Sequence, residues 1–175
     1  GTCHLTTART AELVKLMENA YRDVNIAFAN EMSLVSDRLG INVWEAIDMA
    51  NHHPRVNILQ PGPGVGGHCI AVDPWFIVDG APEDTALIRA ARGVNNSKPG
   101  HVVKQVLDAA KKHAAPTIAC LGLAYKANID DLRESPAIDI VRQLSEAKAG
   151  RVFVVEPNID TLPEELASLE QTSLC

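Results

Sequence analysis

The sequence predicts a mainly α-helical protein, with a helical domain over residues 1–115 followed by a truncated, Rossmann-like βαβ unit over residues 116–175. Three observations predict it. Apolar residues recur at helical spacing over more than thirty residues near the start. No alternating or continuous strand-like run is bounded by turn signals before Pro116, apart from a weak Val56-Asn57-Ile58-Leu59. After Pro116 the period changes, and two short β-branched runs flank a helix that opens on Ser135-Pro136.

The first element runs from about Thr7 to Leu39. Leu13, Leu16, Met17, Ala20, Tyr21, Val24, Ala27, Phe28, Leu34 and Val35 form its stripe, and Gly40 stops it. At about 1.5 Å per residue this is a rod of roughly 45–50 Å. That is longer than a small domain can cover, so part of the stripe is expected to meet a second copy in a homodimer. Lys15 and Asn19, four residues apart, share one face of it. Asn42 and Glu45 cap a second helix from Val43 to about Ala50. Pro74-Trp75-Phe76-Ile77-Val78 reads as a buried segment. Pro82 with Glu83 and Asp84 starts a third helix to about Val94, and Ser97 caps a fourth to about His113.

Thr117–Leu121 reads as a buried strand in which Cys120 is a small core residue. Pro136–Ala149 is the crossover helix, ended by Gly150, and Arg151–Val155 the second strand. A short helix is expected at Pro163–Leu169 with nothing sheet-like after it. Two strands are too few for independent stability, so the unit is expected to dock on the fourth helix or to pair with its copy in another subunit.

Between the helices lies the stretch Gly62-Pro63-Gly64-Val65-Gly66-Gly67-His68-Cys69-Ile70-Ala71-Val72-Asp73. Its glycines leave the backbone bare for close approach. Cys69 is the natural nucleophile and Asp73 an acid or base, which points to acyl-type chemistry at sulfur, or else to a tight turn with an incidental buried cysteine. Gly62, Gly64 and Gly67 also spell G-x-G-x-x-G, but Pro74 forbids the long helix that a dinucleotide turn opens. His52, His53, His68 and Cys69 suggest zinc by number, yet no C-x-x-C or H-x-x-x-H pair occurs, and no metal site is expected.

The chain has 175 residues, 46% apolar, with a net charge of −6 and no basic run, which excludes a nucleic-acid surface. No run reaches membrane-spanning length. Four cysteines without framework spacing fit a reducing, cytoplasmic setting.

Together, Ala11–Lys15 through Asn19 to Asn30-Glu31, the stretch Gly62–Asp73, and Gly122–Lys126 through Asp131–Pro136 resemble the nucleotide-sugar (UDP-glucose/GDP-mannose) dehydrogenases. The resemblance implies oxidation of a nucleotide-sugar C6 alcohol to a carboxylate with two NAD molecules in turn. It implies that Cys69 carries a thiohemiacetal and then a thioester, that Lys15 and Asn19 steady oxyanion charge, and that Asp73 orients the hydrolytic water. Arg55 is implied to reach substrate across a dimer. Gly64, Gly66, Gly67, His68, Lys126 and Arg133 are implied to bind the UDP-sugar. Val72 stands where many relatives have lysine, which implies a substrate other than UDP-glucose. The family's N-terminal NAD-binding domain has no counterpart here, so the chain is expected to be a piece of the enzyme, to bind no NAD and to be inactive alone. A helical dimerisation module and a thiol-dependent acyl transferase or hydrolase are the competing readings.

Overall fold

The computed structural model describes Gly1–Cys175 and divides the chain into two compact units. The first comprises Gly1–Pro61 and His68–Asn95, the second Gly62–Gly67 and Asn96–Cys175.

In the first unit, α1 spans Ala8–Leu39. Thr7 caps it by accepting the Thr10 N–H, and Gly40 closes it in the left-handed region at φ 67°. Much of its apolar stripe faces outward: Leu13, Val14, Met17, Tyr21, Phe28 and Val35 are exposed. Its buried positions are alanines and polar side chains only, Asn19, Ala20, Asp23, Ala27, Ala29, Asn30 and Ser36. A second helix, α2 (Val43–Asn51), starts where the Asn42 side chain accepts the N–H groups of Trp44 and Glu45. Val43, Ile47 and Ala29 form a small core there, with Met32 and Ile58 against it. Residues 56–61 are irregular rather than a strand, pinned by Asn51, whose side chain accepts from the Ile58 N–H and donates to its carbonyl. α3 (Asp73–Gly80) buries Pro74 and Val78 but leaves Trp75 and Phe76 exposed, at 43% and 60%. The expected buried run is thus half right, because the segment is helical and shows two faces.

The expected third and fourth helices are one, α4 (Ala86–Ala110), running through Pro99. Ser97 lies inside it rather than at the start of a helix. Proline removes one intrahelical hydrogen bond, but Lys98 and Pro99 are both buried, and tertiary context overrides the local signal.

The second unit holds the sheet. β1 (Thr117–Leu121) pairs in parallel with β2 (Arg151–Val155), from Thr117 opposite Arg151 to Leu121 opposite Val155. A third strand, β3 (Thr172–Leu174), adds parallel to β2 on its far side. Here the expectation of nothing sheet-like is corrected: three residues are too few to show a period, but they suffice to donate to and accept from a strand already in place. The crossover helix α5 (Pro136–Glu146) is capped by Ser135, and a short α6 (Glu164–Ala167) precedes β3. The core is Ile138, Val141 and Leu144 of α5 against Val152 and Val154 of β2, with Leu123 and Leu166. Val103, Val106 and Leu107 of α4 pack on it, so the βαβ unit does dock on the end of that helix. Each side chain so buried contributes about 1.5–3 kcal/mol. Gly150, at φ +133°, cannot change, since a Cβ there would run into the Pro116 carbonyl.

Candidate functional site

Two of the expected site residues come from one face of α1 and two from the turn that leads into α3. Lys15 Nζ lies 3.5 Å from Asn19 Oδ1, and Asn19 Nδ2 donates to Asp73 Oδ2 at 2.5 Å. Asn19 is buried, Lys15 exposed and Asp73 half-buried. The Cys69 carbonyl accepts the N–H groups of Val72 and Asp73, at 3.1 and 2.8 Å. Cys69 and Asp73 are therefore one helical turn apart, which sets their side chains on one side of the chain. Fifty-four residues of sequence separate Asn19 from Asp73, and the fold closes that gap with a single hydrogen bond. What the arrangement offers chemically is a half-buried thiol preceding a carboxylate, with an amide donor fixed on the carboxylate and a primary amine beside the amide.

Arg55 sits in an exposed turn after α2 and His68 is exposed; neither is drawn to Asn19 or Asp73 by any hydrogen bond. No cluster of histidine, cysteine and acidic side chains has the shape of a metal site.

In the second unit the glycines of the central stretch are packed by the protein itself. A Cβ on Gly66 would lie 2.6 Å from the Glu134 carbonyl oxygen and 2.7 Å from Tyr125 Cβ; one on Gly67 would meet the Tyr125 ring at 2.9 Å. The Gly67 N–H donates to the Arg133 carbonyl, and Gly64 lies against Pro136. The backbone is bare, then, for the approach of the β1–α5 loop. On that loop Lys126 is exposed, and the exposed Arg133 forks onto Asp131, Nε to Oδ1 at 2.9 Å and a terminal nitrogen to Oδ2 at 2.6 Å. Glu156, buried at the end of β2, accepts the N–H groups of Leu123 and Ala124 at 2.8 and 3.1 Å. Those donors, helped by Asn158, hold its carboxyl down at about 2.

Neither glycine turn fits a dinucleotide. The stretch around Gly62–Gly67 follows irregular chain and leads to a turn, while the N–H groups after β1 that would face a phosphate are taken by the Glu156 carboxylate.

Sequence reasoning missed a buried polar cluster beside Asn19. Arg92 donates to Asp23 Oδ1 at 2.7 Å, and Asn95 Nδ2 donates to the same oxygen at 2.8 Å and to the Asp23 carbonyl at 3.1 Å. Asn30 Nδ2 donates to Asn95 Oδ1 at 2.8 Å. Burial pushes the Asp23 carboxyl above its usual range, against the pull of the Arg92 guanidinium. Asp23 and Asn30, at four and eleven residues past Asn19 and so close to its face of the helix, were the signal available.

The first unit sets a thiol turn against a long helix, and the second holds a three-stranded parallel sheet with its crossover helix. The family models agree: residues 9–97 match the central domain, and residues 119–174 the UDP binding domain, of the UDP-glucose/GDP-mannose dehydrogenase family. The chain belongs to that family. It is 64% identical over 170 residues to the NDP-N-acetyl-D-galactosaminuronic acid dehydrogenase of Ralstonia solanacearum, covering 97% of this chain and 40% of that one. It is 58% identical over 174 residues to the UDP-N-acetyl-D-mannosamine dehydrogenase of Campylobacter jejuni, covering 99% and 43%. Among solved structures, a UDP-N-acetyl-mannosamine dehydrogenase from S. aureus superposes with a TM-score of 0.81 at 45% identity, over 97% of this chain and 43% of that one. The chain thus spans about two fifths of the length of these relatives.

Proposed function

We propose that this chain carries the thiol and hydrolysis steps of a UDP-N-acetylhexosamine 6-dehydrogenase. The observation that supports the reading best is the Asn19–Asp73 hydrogen bond, which gathers Lys15, Asn19 and the Cys69–Asp73 turn into one place. The Cys69 thiolate adds to the carbonyl carbon of a C6 aldehyde, forming a C–S bond. Lys15 and Asn19 steady the resulting oxyanion. Oxidation of that adduct, still held on Cys69, to a thioester needs a hydride acceptor, for which the family's NAD is the candidate. Water, oriented by Asp73, then attacks the thioester carbonyl, and the thiolate leaves as the uronate forms.

Relatives named for N-acetylmannosamine and for N-acetylgalactosaminuronic acid, together with Val72 in place of lysine, support an N-acetylated hexosamine over glucose. Lys126, Arg133, His68 and the segment Gly64, Gly66 and Gly67 are assigned to UDP-sugar binding, and Arg55 to the substrate of a second copy. That copy docks on the exposed stripe of α1.

A UDP-N-acetylmannosamine 6-aldehyde labelled with carbon-13 at C6 tests the thiol step without any cofactor. The carbonyl resonance is expected to move to that of a thiohemiacetal with this chain, and to stay in place with Cys69→Ala. An unchanged spectrum with the parent chain sinks the reading. An adduct formed equally well by a simple aldehyde turns it into general thiol chemistry.

A further inference from the structure

We infer that the buried cluster of Asp23, Arg92, Asn95 and Asn30 is the positioning device for the Lys15–Asn19–Asp73 group, fixing the rotation of α1 about its own axis; the inference rests on the dehydrogenase reading for its purpose, though not for its geometry. The ground is what α1 lacks. A helix is ordinarily keyed in rotation by large apolar side chains seated between those of its neighbours. α1 fully buries none: its fully buried positions are alanine, serine, asparagine and aspartate, Leu16, Val24, Met32 and Leu34 are only half-buried, and Leu13, Met17, Tyr21 and Phe28 look outward. Alanine faces allow a helix to turn by several degrees at small cost. Directional hydrogen bonds do not.

Those bonds lie where they are needed. Asp23 follows Asn19 by one helical turn, and both point inward. Asp23 is 0% exposed, Asn30 0%, Asn95 1% and Arg92 3%, so water cannot substitute for a lost partner. Asn95 is the keystone: its amide nitrogen reaches both the side chain and the main-chain carbonyl of Asp23, and its oxygen takes the Asn30 amide. Two points on α1, seven residues apart, are thereby tied to one side chain of α4. A rotation that carried Asn19 off Asp73 would break all of these contacts together.

The test reads the Asn19 side-chain amide by nitrogen-15 NMR in the full chain. In the parent protein its hydrogens are expected to exchange slowly. In Asn95→Ala they are expected to exchange at least tenfold faster, while the amides of α2 keep their protection. Asn30→Ala, which leaves the Asp23–Arg92 pair intact, gives a smaller rise of about threefold and decides the matter should Asn95→Ala unfold. Unchanged exchange of the Asn19 amide in a folded variant overturns the inference.

The labelled aldehyde supplies a second readout. Asn19→Ala, Asn95→Ala and the double variant are expected to lose adduct by similar factors of about tenfold, because the second change removes what the first has already released. Additive losses overturn the positioning role. If the parent chain forms no adduct yet Asn95→Ala still frees the Asn19 amide, the positioning holds and the dehydrogenase reading fails.

Discussion

Single side chains set the acid tolerance of the second unit. Glu156 ionises near 2 in the folded chain against an ordinary 4.5, because backbone N–H groups of Leu123 and Ala124 point at its carboxylate. A depressed carboxyl lends stability that is complete above the unfolded value and fades as pH falls from about 4.5 towards 2. The contribution is on the order of 2 kcal/mol. Glu156→Gln is expected to lower the urea midpoint at pH 7 and to flatten its decline between pH 5 and pH 3. A variant whose midpoint still falls as steeply as the parent's across that range contradicts this assignment. The buried Asp23–Arg92 pair acts differently: its charges cost more to bury than their attraction recovers, and truncating either partner alone costs about 3–5 kcal/mol.

Among the elements, those whose signals are local were legible. α1 is announced by its stripe and by Gly40, α2 by Asn42, and α5 by Ser135-Pro136; all begin within a residue of where the sequence puts them. Elements decided by distant contacts were not. Ser97 reads as the cap of a new helix, yet α4 runs unbroken through Ser97 and Pro99. Thr172–Leu174 is a strand because Val152 and Val154 already offer it an edge. The same division runs through the site. Lys15, Cys69 and Asp73 could be picked out as residue types in a pattern, whereas Asn95 on α4 carries no mark of its partnership with Asp23 until the two helices meet. For α1 as an element, the second copy proposed for its outward stripe has a direct test. Phe28 is 50% exposed, so Phe28→Asp should leave the monomer folded and halve the mass seen by light scattering. A parent chain that scatters as a monomer at micromolar concentration removes the docking role of the stripe.

At the scale of the molecule, order is unevenly shared across the sheet. β2 is paired on both sides, β1 and β3 on one. Amides of Val152 and Val154 are therefore expected to exchange more slowly than those of β1 or β3, by at least tenfold, and uniform rates across the three strands would contradict this order. No helix is long and apolar enough to cross a membrane. The division of the chain into units carries a consequence for synthesis. Residues 62–67 belong with residues 96–175, yet they emerge from the ribosome before residues 68–95, which complete the first unit. The segment's contacts with Tyr125 and Glu134 form only once those residues have been made, some sixty residues later. No single cut of the gene separates the units cleanly: a fragment starting at Asn96 leaves the Tyr125 ring without the Gly66 and Gly67 backbone it covers. The thiol turn follows that segment directly in sequence, so a ribosome stalled halfway presents Cys69 before the rest of residues 68–95 has been made.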